Sequence, residues 1–124
     1  MSRSVYLRNA ILDALGNNTS FAVSQVYVSL HTGDPGLNGA SEVSGGSYAR
    51  EAVSFGAASG GAMENDALVR FDSVPAGTIT HFGLWDAASA GNFLWGAALT
   101  ASKTQNDGDP FEFAIGAIDV SEAA

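Results

Sequence analysis

Between Gly77 and Val120 the chain reads GTITHFGLWDAASAGNFLWGAALTASKTQNDGDPFEFAIGAIDV. This is a train of short apolar and aromatic runs, each closed by Gly, Asn, Asp or Ser. Such runs fold back on one another as antiparallel strands. Glycine tolerates positive φ at the turns, and Asn, Asp and Ser hydrogen-bond their own backbone there. The spacing predicts strands over Thr78–Trp85, Asn92–Leu99 and Phe111–Val120, with a loop at Asp86–Gly91 and a polar turn at Thr104–Pro110. In the first strand Phe82 and Leu84 oppose Ile79 and Trp85, which predicts cover on both faces. In the last, Phe111, Phe113 and Ile115 share one side, and Ala114, Ile118 and Val120 fall mostly on the other.

Upstream the same grammar holds. Phe21–Thr32 alternates as a strand, the GDPG at Gly33–Gly36 is a turn, and Tyr48–Phe55 reads as another strand. A Gly/Ser-rich loop from Leu37 to Ser47 separates them, of a length that often marks a binding loop. A glycine-rich link, Gly56–Ala62, leads to an apolar run at Ala67–Phe71, and Pro75-Ala76-Gly77 makes the next turn. At the N-terminus, Leu7, Ala10, Ile11, Ala14 and Leu15 recur at helical spacing. Ser4 or Ser2 is available as the cap and Gly16-Asn17 as the stop, which predicts a short helix over residues 5–15. The expectation is a single all-β domain over residues 1–124, an antiparallel β-sandwich of about six to seven strands with a short N-terminal helix.

Five basic residues face thirteen acidic ones, for a formal charge of −8. One lysine, Lys103, and no basic stripe leave nothing to neutralise a phosphate backbone, so no nucleic-acid partner is expected. No apolar run of about 18 residues predicts a membrane span. The N-terminus does not read as a signal peptide, since Arg8 and Asp13 interrupt it. With 15% of residues charged, some apolar surface should be left for a partner to bury.

Chemistry-bearing patterns are thin. Cysteine is absent, and His31 and His81 are the two histidines, too few for a three-ligand catalytic zinc. His81 sits in an apolar strand, as a structural histidine does. No GxSxG elbow marks a nucleophile, and Asp107 and Asp109 lack the spacing of a calcium loop. Glu64 and Asp66 could flank a sugar, but sequence shows no cleft for them. Lys103 lacks the glycines of a phosphate loop. The reading is no enzyme, no cofactor and no metal. Trp85 and Trp95 read first as core, and second as interface anchors at strand ends.

Several segments in order carry a resemblance: VYVSLHTGDPG at Val26–Gly36, then Glu42-Val43, Gly45-Gly46 and Tyr48-Ala49-Arg50. THFGLWDA at Thr80–Ala87, GNFLWGAAL at Gly91–Leu99, Lys103 and Phe111–Val120 follow. Together they resemble a family of small tailed-bacteriophage virion proteins, commonly labelled tail-fibre proteins. The resemblance implies a structural role with no catalytic residues to carry over. It implies a virion location after synthesis in the bacterial host cytoplasm. The chain has no shaft-like repeat, so the favoured role is a capsid decoration (cement) protein on the head exterior. It would bind the major capsid protein or other virion proteins as a homo-oligomer, with a trimer favoured. The alternative is a tail-fibre or tail-tip module that is structural or receptor-binding. Expected docking residues are Tyr6, Leu7 and Ile11 on the helix; Leu37, Val43, Tyr48 and Arg50 in and beside the long loop; and Trp85 and Trp95. Arg50 is weighed as a solvated strand charge against an interface ion pair.

Overall fold

The computed structural model describes residues 2–121. Its elements run β1 (Ser2–Arg3), α1 (Val5–Gly16), β2 (Val26–His31), β3 (Glu51–Val53), β4 (Ala62–Glu64), β5 (Val69–Val74), β6 (Gly77–Trp85), β7 (Phe93–Gln105), β8 (Asp109–Phe113) and β9 (Asp119–Ser121). A five-stranded antiparallel sheet in the order β1-β7-β6-β2-β3 is faced by the β5–β8 pair, with a β4–β9 pair alongside. This is the expected sandwich, with additional strands two or three residues long at β1, β4 and β9.

Register explains the core. Val28 pairs with Leu84 and Leu30 with Phe82, and these in turn sit opposite Trp95 and Ala97 of β7. Directly opposed residues share a face, so these side chains form one apolar surface. It packs against Val69, Phe71, Phe111, Phe113 and Ile118. Edge-to-face contacts of Phe82 with Phe113 (5.9 Å) and of Phe71 with Phe111 (6.4 Å) join the two layers and the facing pair. The alternate residues, Ser29, His31, Gly83, Trp85, Phe93 and Gly96, point to the other face and are also buried. β6 is therefore covered on both sides, as its sequence predicts.

Several boundaries differ from expectation, each for a local reason. Tyr48–Phe55 contracts to β3 because the Tyr48 hydroxyl accepts from the Leu30 amide, 3.0 Å, holding that end of the segment out of the ladder. β7 runs through to Gln105, so the polar turn narrows to Asn106–Gly108, where Gly108 takes φ +87°. Phe111–Val120 is not one strand. The buried Asn65 side chain bonds the Ala67 and Ala114 carbonyls and the Ile118 amide at 2.8–2.9 Å, breaking the run and leaving Ile115 exposed. Ala62, expected as the end of the Gly56–Ala62 link, instead begins β4, which pairs with β9. Phe21–Gln25, expected as the start of a strand, has no ladder partner; Phe21 packs edge-on to Tyr6 instead.

The outer edge of β7 has its own shape. β1 pairs only with Trp95 and Gly96, and beyond them that edge has no strand partner among the described residues. There Thr80 of β6 stands opposite Leu99, Thr100, Ala101 and Ser102, so β7 bulges outward before pairing resumes at Lys103.

Candidate functional site

The long loop between β2 and β3 covers the second face of the sheet. Pro35 is buried, and a Cβ on Gly39 would lie 2.5 Å from the Trp85 ring, so the loop backbone passes directly over the indole. Gly39 takes φ +82°, a conformation glycine adopts without strain. Beneath it runs a closed chain of hydrogen bonds. Trp85 Nε1–H donates to Ser29 Oγ at 2.8 Å, Ser29 Oγ lies 2.6 Å from His31 Nε2, and His31 Nδ1 lies 2.7 Å from the Ala40 carbonyl. A carbonyl only accepts, so the imidazole proton sits on Nδ1, and Nε2 accepts from Ser29. Burial lowers the His31 pKa from its ordinary value of 6.5, the Ala40 hydrogen bond opposing. A serine hydroxyl on a histidine nitrogen resembles an activated nucleophile. Here both residues are fully buried, and the third partner is a backbone carbonyl.

Arg50 locks the loop in place. Its guanidinium forks onto Glu42 through Nε (3.0 Å) and Nη2 (2.9 Å), and Nη1 donates to the Ala87 and Ala90 carbonyls at 3.1 and 2.8 Å. The guanidinium carbon lies 3.6 Å from the Trp85 ring centroid. Glu42 Oε2 also accepts from the Tyr48 hydroxyl at 2.9 Å, and the Tyr48 ring stacks on Phe71 at 5.9 Å. Burial pushes the Tyr48 phenol far above its ordinary value, keeping the proton it donates. Arg50 is thus neither a solvated charge nor a free interface charge. Its ion pair is internal, and its side chain is 9% exposed.

The other expected docking residues scatter. Trp85 and Trp95 are 8% and 2% exposed; Trp85 is covered by the loop, while Trp95 lies at the floor of the groove described below. Val43 and Tyr48 are half-buried, while Leu37 is exposed near the loop tip. On α1, Leu7 and Ile11 are half-buried and Tyr6 is exposed.

The open surface lies at the helix end. Ser4 caps α1, its Oγ accepting from the Leu7 amide at 3.0 Å, while its own amide donates to the Leu94 carbonyl at 2.8 Å. The helix is pinned to β7 at its start, and none of its residues is fully buried. Val5, Leu12 and Leu15 are 51%, 59% and 83% exposed, with Arg8 in the same arc. The sequence marks Tyr6, Leu7 and Ile11 for docking and counts Leu15 in the helical spacing, but leaves Val5 and Leu12 unmarked. The stripe's signal is the spacing of Val5, Arg8, Leu12 and Leu15, three, four and three residues apart, along an adjoining face of the same helix. Beside the helix is an apolar groove of about 310 Å³, at the lower end of the range for small ligand pockets, lined by Leu7, Phe21, Val23, Met63, Trp95 and neighbours.

What the chain displays, then, is a closed polar network and an open apolar end. No curated protein matches the sequence significantly. A family profile matches residues 2–121, nearly the whole chain, and its description is podophage GP4 fiber I protein gp80. The chain belongs to that family, and with it to the structural proteins of the bacteriophage virion.

Proposed function

We propose that this chain is a fibre-associated assembly module of the virion, holding other virion proteins through side-chain surfaces. The observation that carries this reading is the exposed Val5, Leu12 and Leu15 stripe beside an unfilled apolar groove. Apolar area presented by two adjoining features of one end is what a contact site supplies. The family description names a fibre protein, which moves the weight from head shell to tail. The head-decoration reading keeps one point in its favour, the absence of a shaft-like repeat in the sequence. A receptor-binding platform built on an exposed Trp85 ring is disfavoured, because the long loop and Arg50 cover that indole. Electron cryo-microscopy of particles carrying a tagged copy is the test. Density confined to the tail and its fibres is expected; a lattice of copies over the head would replace this reading with decoration.

A further inference from the structure

Pairing between β2 and β3 stops at one rung, and two segments leave it separately. Val26 pairs with Val53, and the Gln25 side chain closes that rung, its Nε2 donating to the Val26 and Val53 carbonyls at 2.9 and 3.0 Å. Beyond it Phe55 bridges to Asn65 instead. Before it, residues 21–24 have no ladder partner among the described residues. The apolar groove of about 310 Å³ takes walls from both, Phe21 and Val23 from one segment and Phe55 and Ala58 from the other.

Residues 21–24 keep the form of a strand without a neighbour. Phe21 and Val23 are half-buried and line the groove, while Ala22 and Ser24 are exposed, the alternation of extended chain. None of their amides or carbonyls has a backbone partner among the described residues. The groove calls for apolar side chains, and the row of unused donors and acceptors beside it calls for a partner's main chain. An extended segment supplies both. A helix spends its amides on its own carbonyls, and an apolar small molecule carries none. We propose that an extended segment of another virion protein adds as a short strand along residues 21–24, its alternate apolar side chains seated in the groove. Four residues of strand direct about two side chains to one face. The formal charge of −8 favours a segment with basic flanks.

This inference rests on the reading of the chain as an assembly module, and it deepens that reading by naming the chemistry of the partner's contact. Residue-resolved hydrogen–deuterium exchange of the free chain, and of the same chain in purified particles, tests it separately from particle imaging. Successive amides of a strand point to opposite edges, so an added strand protects Phe21 and Val23 or Ala22 and Ser24, not all four. One of these pairs should exchange about tenfold or more slowly in the particle. Ala22→Pro and Val23→Pro each remove one of the alternating donors. One of the two, with unchanged circular dichroism, should lose incorporation into particles. Full incorporation of both overturns the inference. Protection in the particle that falls only on α1, with residues 21–24 exchanging as in the free chain, also overturns it and leaves the assembly reading intact. Protection of residues 21–24 already present in the concentrated free chain would make the occupant a second copy, and would overturn it as well.

Discussion

On the face beneath the long loop, Ser29, His31 and Trp85 are buried and Arg50, Glu42 and Tyr48 half-buried, each with its polar atoms bonded within the fold. At the helix end, Val5, Leu12 and Leu15 stand in water, each more than half exposed. Both regions come from segments that sequence marks as docking candidates, yet they behave oppositely. The difference teaches where polar residues go when a long, glycine-rich loop must be ordered. A loop has few ladder hydrogen bonds of its own, so a forked guanidinium and a stacked tyrosine take their place. The helix, fixed at its first turn by Ser4, leaves its outer side unspent.

The sharpest way to break this contrast is Arg50→Ala. It strands Glu42, frees the Ala87 and Ala90 carbonyls and uncovers Trp85. A loss of about 3–5 kcal/mol is expected in urea unfolding, as when one partner of a buried pair is removed. A solvated charge would cost almost nothing. Next is Gly83→Ala, whose Cβ would lie 2.8 Å from His31 Nε2, Phe93 Cε1 and Ser29 Oγ. Overpacking there should cost about 1–3 kcal/mol by the same measurement.

A smaller effect comes from pH. The folded His31 pKa lies below its unfolded value of 6.5. Below about pH 6.5 the unfolded chain therefore binds the extra proton first. Stability should be full above that pH and fall as pH drops toward the folded pKa, as read by thermal melts from neutral to mildly acidic buffer. His31→Gln should abolish that part of the slope, although less stable throughout. The smallest effect expected is that of Leu15→Asp, at 83% exposure. Its stability should stay within about 0.5 kcal/mol of the unaltered chain. A large loss would mean that the helix end is as closed as the loop face.

Much of the fold was legible. The two-sided cover of β6 follows from its alternation, and the helix from its cap, spacing and stop. Partnerships across the chain were not. Arg50 reads as either a solvated strand charge or an interface ion pair, because the groups it binds lie 8, 37 and 40 residues away. Nothing local to Asn65 announces that it will interrupt a strand 49 residues on. Gly39 reads as loop freedom, whereas its bare Cα is needed for close approach to Trp85. At the candidate site, composition foretold spare apolar surface, and helical periodicity located it on α1. Which of its apolar residues stay exposed is decided by packing: Leu7 and Ile11 are half-buried, whereas Tyr6, Leu12 and Leu15 are open.

The outward bulge of β7 at Leu99–Ser102, followed by Lys103, bears on life in a crowd. A smooth, unpaired edge of that length would template main-chain ladders between neighbours, a form of association that resists reversal. With the edge interrupted by the four residues opposite Thr80, it offers a neighbour no continuous ladder to extend. What then governs their meeting is an arrangement that evolution can adjust one substitution at a time.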